Sequence, residues 1–426
     1  MINKQKIKIG LIGLGTVGSG VYKTLRDSNS FEFVKIGVKN INKPRNIEGL
    51  DETLLTDNPY DVVNSDADIV VELIGGIEPA FDLIKKAILN GKHIVTANKE
   101  LLAKCGEELF NFAEEHNKVV LYEAAIAGGI PIIMPIKTIL AGNKINHIEA
   151  ILNGTTNYIL TKMDSDGASY EDVLREAQEL GYAETDPTGD VEGFDAAYKI
   201  TTLATLAFRK RIKFENVYRE GITKVRAEDM KIANELGYKI KLIASADLNE
   251  DGKADVRVHP MLVSKDSTLS HINYVKNAVS LKGHPVGHIT LSGPGAGEFP
   301  TASSVIGDIL AIAAELGKTE YLLPMMRCNH NETAAMVNIT DTQNKYYMSL
   351  NAVNKMGVIG TVGKICEDNN ISVACIIQRG LKENNTADII VITELCREKD
   401  MQNAISQFDS SEFINKVNSL IRVQCL

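Results

Sequence analysis

The stretch KIKIGLIGLGTVGSGVYKTL, Lys6–Leu25, reads as an apolar strand, a glycine corner and a helix in immediate succession. Ile7 to Ile12 form an alternating apolar run, and Gly13, Gly15 and Gly18 follow it directly. Gly13 permits a tight turn, Gly15 lets backbone approach a pyrophosphate, and Gly18 lets helix and strand lie close together. The helix opening at Thr16 and Val17 supplies aligned amide N–H groups for the phosphate charge. Three glycines at this spacing mean little alone. With a strand before them and a helix after, they predict a dinucleotide-binding site.

Working outward, strand-like runs recur at Phe33–Val38, Ile69–Ile74, His93–Thr96 and Val119–Glu123, with helices from about Pro79 and Glu100. Such alternation predicts an α/β fold with a Rossmann-type, doubly wound parallel sheet. In these folds the second strand usually ends in an acid that holds the ribose hydroxyls. Here Val38 is followed by Lys39 and Asn40, with Lys43 and Arg45 nearby. Three cations at that tip suit the extra phosphate of NADP; NAD stays open as a second cofactor, and a plain solvated basic loop is the competing reading.

Between Gly181 and Lys199 the chain crowds Glu184, Asp186, Asp190, Glu192 and Asp195 into twelve residues, and Lys199 comes four after Asp195. Like charges this dense repel, so a ligand or several cations should share the load. Ala196, Ala197 and Ile200 favour a helix, on which Asp195 and Lys199 share a face. A carboxylate orienting an amine suits proton transfer; the bland alternative is a surface ion pair. Lys99 falls at the start of a helix, after Asn98, where the helix dipole disfavours a cation unless an anion compensates it. Asn153, Gly154 and Thr155, in ILNGTTNYIL (Ile151–Leu160), predict a polar floor for a small ligand between a strand near His147 and a helix near Asn157. Gly293, Gly295 and Gly297 precede a long apolar helix that is expected to return to the nucleotide domain.

The chain has 426 residues, enough for two or three domains, and a formal net charge of −9. With no basic tract, that balance argues against nucleic acid or anionic membrane as partners. The run lengths predict no bilayer span, and the chain enters a strand at once without a signal-peptide pattern, so a soluble, cytoplasmic protein is expected. Six scattered cysteines, Cys105, Cys328, Cys366, Cys375, Cys396 and Cys425, fit a reducing compartment and offer no zinc knuckle. His284 and His288 have metal-like spacing, but Pro285 and Gly287 deny them a helix.

Three domains are expected: residues 1–135 for the nucleotide, completed by 298–340; residues 136–297 as an α+β substrate-binding and dimerisation domain; and residues 345–426. Strands KIKLIASADL and VRVHPMLV flank the turn Asn249–Gly252 in the middle region. The last region reads βαββαβ, ending in a short strand near Ile421–Val423, a ferredoxin-like unit. Its Asn354–Val358 turn resembles the ligand loop of ACT domains, with a plain dimerisation module as the alternative.

Taken together, GLGTVGSG (13–20), TANKELLA (96–103), EAAIAGGIP (123–131), NGTTNYIL (153–160), GYAETDPTGDVEGFDAAYK (181–199) and GPGAG (293–297) make the chain similar, nearly end to end, to single-function homoserine dehydrogenases with a C-terminal ACT domain. The resemblance implies NAD(P)-dependent interconversion of L-homoserine and L-aspartate 4-semialdehyde in threonine, methionine and isoleucine biosynthesis. It implies Lys199 as proton donor and acceptor and Lys99 as a second catalytic lysine. Glu184 and Asp195 would hold homoserine, with Asp190 beside them, and Gly181, Glu184 and Gly297 would touch the cofactor. It further implies a monovalent cation, sodium by expectation, at Glu123 and the backbone of Ile126, Gly128 and Ile130, a threonine effector at the ACT domain, and a homodimer or tetramer. Two rivals remain at this point: another NADP-dependent oxidoreductase of amino-acid metabolism, and a non-catalytic nucleotide and amino-acid sensor.

Overall fold

A computed structural model describes residues 6–316, 330, 332–381 and 385–425, so Cys328 and part of the expected 298–340 extension lie outside the described residues. The chain forms two compact units. The first gathers the described residues up to Gly154, then Asp195–Val217 and those from Val275 to Ala334; the second holds Thr155–Phe194, Tyr218–Tyr274 and the described residues from Ala335 onward.

The first unit opens with β1 (Ile7–Ile12), α1 (Thr16–Leu25), β2 (Phe31–Gly37), β3 (Leu55–Thr56), α2 (Pro59–Asn64), β4 (Ile69–Glu72), α3 (Ala80–Leu89), β5 (His93–Thr96), α4 (Lys99–Glu115) and β6 (Val120–Leu121). The strands are parallel in the order β3-β2-β1-β4-β5-β6. Strand order reverses beside β1, and that is where a doubly wound sheet leaves a ligand crevice at its carboxyl ends. The expected strand at Val119–Glu123 is shorter: the backbone turns into a single 3₁₀ turn at Glu123–Ala125.

The glycine corner is dictated by sterics. Gly13 has φ +103°, open to a residue without Cβ, and a Cβ on Gly18 would lie 2.0 Å from the Gly13 carbonyl oxygen. Around Gly15 nothing stands within 4 Å of that position, which leaves the backbone open to the crevice.

After α5 (Ile133–Lys137) and β7 (Lys144–Ile151) come α6 (Gly154–Asp166), α7 (Tyr170–Glu179) and α8 (Thr188–Val191), then α9 (Phe194–Phe208). The helix expected near Asn157 thus begins three residues earlier, so Gly154 and Thr155 form its first turn. Next follow β8 (Tyr218–Arg219), α10 (Ala227–Glu235), β9 (Tyr238–Leu248), β10 (Ala254–Ser264), β11 (Lys276–His284), β12 (Gly287–Pro294) and α11 (Glu298–Glu315). In the first unit β7, β11 and β12 pair antiparallel. The β11–β12 hairpin places His284 and His288 about its turn, where His288 bonds Ser280, and no group of metal-ligating side chains occurs among the described residues. Helix α11 lies on α1, since a Cβ on Gly20 would meet the Glu298 carbonyl at 2.6 Å. Val305, Ile309 and Ile312 of α11 share one buried core with Ile9, Leu11 and Val21.

The second unit ends with β13 (Gln343–Val353), α12 (Val358–Asp368), β14 (Val373–Leu381), β15 (Thr386–Thr393), β16 (Cys396–Arg397), α13 (Glu398–Asp409) and β17 (Ile414–Val423). Its sheet runs β9-β10-β17-β13-β15-β14. The last strand has ten residues rather than the three expected, because its polar half, Asn415 to Ser419, still pairs with β13.

Replacing Gly18 by Ala forces a methyl into the Gly13 carbonyl. The expected loss is about 1–3 kcal/mol of folding stability, the usual range for overpacking, with weakened dinucleotide binding. Urea denaturation and cofactor titration of the purified variant check it.

Candidate active site

Asp195 and Lys199 lie one turn apart on α9, both facing inward. Lys199 Nζ donates to Asp195 Oδ2 at 2.6 Å and to the Leu152 carbonyl oxygen, at the end of β7, at 2.7 Å. Asn153 Nδ2 donates to the same Oδ2 at 2.9 Å. On the other side, Lys99 Nζ pairs with Asp195 Oδ1. One carboxylate therefore lies between two ammonium groups. Burial works to raise the Asp195 carboxyl pKa, but the Lys199 and Lys99 charges outweigh it and hold it well below the usual carboxylate range. The Asp195 and Lys199 side chains are 6% and 11% exposed, whereas that of Lys99 is 45% exposed. Lys199 is thus held in a nearly dry place, and Lys99 faces water as well as the carboxylate.

Lys99 is the first residue of α4, whose N-cap Asn98 accepts the Leu101 amide. A cation there opposes the helix dipole, and Asp195 is the anion that compensates it. On this face Glu100 pairs with Lys104 and accepts from Tyr198 Oη of α9.

The acidic crowd divides. Asp195 is buried, while Glu184 and Asp186 are exposed and Asp190 and Glu192 are half-buried. Asp186 Oδ1 accepts the amide and hydroxyl of Thr188, Glu192 accepts from Thr223, and Gln178 donates to the Glu184 carbonyl, all within the second unit. Gly181 follows α7 with φ +75°, and the Thr155 hydroxyl donates to the Tyr182 carbonyl oxygen at 2.7 Å. Sequence spacing could not divide this run, because charge density says nothing about which side chains face a core.

At the carboxyl ends of the parallel strands a cleft of about 1500 Å³ is lined by Gly13, Gly15 and Thr16, by Lys39, Lys43 and Arg45, and by the Leu73–Gly75 loop. Helix α1 begins on this wall with Gly15 as its N-cap and no side-chain cap. Its first amides, those of Thr16, Val17 and Gly18 among them, have no carbonyl one turn earlier to take them, which suits an anion. Lys39 and Lys43 are exposed at the rim, but the Arg45 guanidinium is spent on loop carbonyls, donating to Asn40 at 2.6 Å and Lys43 at 2.9 Å. Gly297, φ +126°, caps α11, and its neighbour Glu298 lines the cleft and pairs with Lys23 at 2.6 Å.

Glu123, Ile126, Gly128 and Ile130 are all buried. Both Glu123 oxygens accept backbone amides, from Ile132 at 2.5 Å, Ile133 at 2.8 Å and Met134 at 2.6 Å, and the Gly128 carbonyl accepts from Ser304 Oγ at 2.7 Å. Asp308 Oδ2 accepts the Glu123 amide at 2.7 Å, and burial, with the Glu123 charge adding to it, pushes the Asp308 carboxyl up to about 8.

A family model described as "Homoserine dehydrogenase, NAD binding domain" matches residues 13–123, and one described as "Homoserine dehydrogenase" matches residues 131–310. The homoserine dehydrogenase of Synechocystis is 43% identical, covering 98% of this chain and 99% of its own. That of Neisseria gonorrhoeae is 38% identical, covering 99% of both. The chain belongs to the homoserine dehydrogenase family. A crystal structure of a homoserine dehydrogenase from Thiobacillus denitrificans superposes with a TM-score of 0.91 at 39% identity, covering 99% of this chain and 98% of the other. A hyperthermophilic archaeal homoserine dehydrogenase, solved in complex with NADPH, covers 74% of this chain at 28% identity with a TM-score of 0.63. The activity is that of an NAD(P)-dependent homoserine dehydrogenase. Both rivals, a different reductase and a sensor without chemistry, fall away with full-length similarity of this order.

Replacing Asp195 by Asn leaves two ammonium groups around a neutral amide. At pH 7 the expected loss is about 3–5 kcal/mol of stability, as for a buried pair broken on one side. The carboxyl pKa is depressed on folding, so its contribution is present above roughly pH 4 and is lost as pH falls through the lowered value. Denaturant titrations at pH 5 to 8 should show a constant deficit in the variant, and the gap should narrow below about pH 4.

Proposed function

We propose that Lys199 moves the proton of the homoserine dehydrogenase reaction. The observation that carries this is the fixed position of its Nζ, held by Asp195 Oδ2 at 2.6 Å and the Leu152 carbonyl at 2.7 Å in a buried place. A nicotinamide dinucleotide in the cleft supplies the hydride, or takes it up in the reverse direction. As the aldehyde of aspartate 4-semialdehyde is reduced, its oxygen becomes an alkoxide, and the Lys199 ammonium gives it a proton; in homoserine oxidation the amine takes the hydroxyl proton back. Lys99 adds a second positive charge on the same carboxylate, favouring negative charge on the substrate oxygen.

Asp195, already between two lysines, acts mainly by orienting them, and Asn153 acts through it. The substrate ammonium is assigned to Glu184, with Asp190 and Asp195 adding negative charge. Its carboxylate suits the amides of Gly154 and Thr155, which open α6. Gly181, Glu184 and Gly297 are assigned to the cofactor's nicotinamide half. At the adenosine end, Lys39 and Lys43 favour the extra phosphate of NADP over NAD.

The buried oxygen set of Glu123 with the carbonyls of Ile126, Gly128 and Ile130 suits a hard monovalent cation such as sodium. It offers one carboxylate whose charge three amides already share, and the neighbouring Asp308 carboxyl would gain from a cation. The ion's part would be to neutralise charge. We assign the C-terminal module to the ACT class: its βαββαβ order and an Asn354–Val358 turn with Met356 96% exposed suit a small effector, threonine by its place as a pathway product. Assembly as a homo-oligomer, a cytoplasmic setting and a role in threonine, methionine and isoleucine synthesis complete the reading.

Lys199→Ala should lower kcat roughly 10²- to 10⁴-fold in both directions, the size of a positioned acid or base, while NADPH affinity by fluorescence titration stays near normal. Ordinary turnover in that variant would remove Lys199 from the reaction. Replacing Lys39 and Lys43 together by Ala should cut kcat/KM for NADPH by about ten- to a hundredfold, the worth of charge-assisted contacts, and leave the value for NADH unchanged. Equal losses with both cofactors would place the phosphate elsewhere.

A further inference from the structure

Strand β4 reads IVVE: three apolar residues and then Glu72, which is fully buried. Among the described residues no cation pairs with it. Leaving a carboxylate there is costly unless its lone pairs are taken up, and burial raises its pKa despite several hydrogen bonds that oppose the shift. Those hydrogen bonds reach two separate segments. Oε1 accepts the amides of Ile74 at 2.8 Å and Gly75 at 3.3 Å, in the loop that walls the dinucleotide cleft. Oε2 accepts the hydroxyl proton of Thr96, at the end of the neighbouring strand β5, at 2.6 Å.

From Thr96 the connection runs straight to Lys99. Thr96 Oγ1 accepts the Asn98 amide at 3.0 Å, and Asn98 caps α4 through its Oδ1 while its Nδ2 donates to the Gly76 carbonyl at 2.6 Å. The bonds close a loop: Glu72 to Thr96, Thr96 to Asn98, Asn98 to Gly76, and Gly75 back to Glu72. Lys99 is the next residue along, and its ammonium meets Asp195. A turn that needed only to be closed would do so with a neutral acceptor at lower cost in desolvation. The carboxylate offers what a neutral side chain does not, two acceptor oxygens facing opposite ways.

We infer that Glu72 is a positioning residue for the dehydrogenase reaction, setting the corner that presents Lys99 and the Leu73–Gly76 wall of the cofactor cleft as one unit. This rests on the proposed role of Lys99. Because one side chain fixes both, the contact the wall makes with a bound dinucleotide and the placement of the lysine are coupled.

The test is a double-mutant cycle on the full chain, read as kcat and as KM for NADPH and homoserine, with the folded fraction of each protein measured by thermal melting. Glu72→Gln keeps the shape and the acceptor for Ile74 and Gly75 but turns a donor toward Thr96. Alone it should lower kcat roughly ten- to a hundredfold, the cost of a small misplacement, with KM for homoserine changing less than about threefold. In the Lys99→Ala background the same substitution should cost less than about twofold, since the group it positions is gone. Thr96→Val, which breaks the same link from the other end, should reproduce the loss, and Thr96→Ser should restore it. If Lys99→Ala is slow and Glu72→Gln multiplies that loss, the inference is wrong while the role of Lys99 stands. If Lys99→Ala turns over normally, the role of Lys99 is wrong and takes the inference with it. Losses in Glu72→Gln and Thr96→Val that merely follow the folded fraction would make Glu72 structural and overturn the proposal.

Discussion

The first unit depends on one buried carboxylate shared by two ammonium groups. Taking a lysine out of water costs several kcal/mol unless the charge is met, and an unmet Lys199 would neutralise or turn outward. Asp195 meets it from one turn earlier on the same helix, so the pair needs no long-range assembly, and the Leu152 carbonyl takes a further hydrogen. The same carboxylate then absorbs Lys99 from the unfavourable end of another helix. Both ammonium groups carry the sign that a developing alkoxide requires.

Close backbone approach holds the surroundings of that cluster. Gly18 on Gly13, Gly20 on Glu298, and Gly128 on the Gly295 carbonyl, where a Cβ would lie at 2.3 Å, each bring two segments nearer than any side chain allows. The last contact seats the loop after Glu123 against the start of α11, and the second seats α11 on α1. Helix α11 closes the nucleotide core although the whole stretch from Ala125 to Thr301 lies between Ala124 and Ala302, successive buried residues of that core. Sterics at three glycines therefore do what a short connection would do in a simpler chain.

Much of this was legible in the sequence, for physical reasons that differ from part to part. The parallel sheet announced itself because buried strands are continuous apolar runs and the glycine corner has fixed spacing. Asp195 with Lys199 was readable from helical period, and Lys99 from a charge at the wrong helix end. The Asn153–Asp195 bond was not, since 42 residues separate the partners and no period connects them. Leu152 contributes a carbonyl, which has no signature in a side-chain alphabet. The β11–β12 hairpin escaped because KGHPVGH breaks its alternation with Gly, Pro and His at the turn. Glu72 was missed although a signal existed: an acid ending the strand IVVE, where burial predicts another apolar residue.

The C-terminal module shows how a region that reads as separate is joined within the second unit. Strand β17 pairs parallel with β10 through Met261 with Arg422 and Leu262 with Val423. At that joint the buried Arg422 donates to Glu398 at 2.8 Å and to Glu220 at 3.0 Å, and Tyr346 donates to Glu398. A second knot gathers Arg226, Tyr347 and Ser419 on the fully buried Asp229. Apolar contacts slide at little cost, but these groups are charged and dry, so pulling the module away would cost Arg422 its bond to Glu220 and Asp229 those from Tyr347 and Ser419. The joint is therefore stiff in a way its sequence composition does not reveal. A displacement of β13 or β17 that spared β10 would have to break the Met261–Arg422 and Leu262–Val423 pairing together with those bonds.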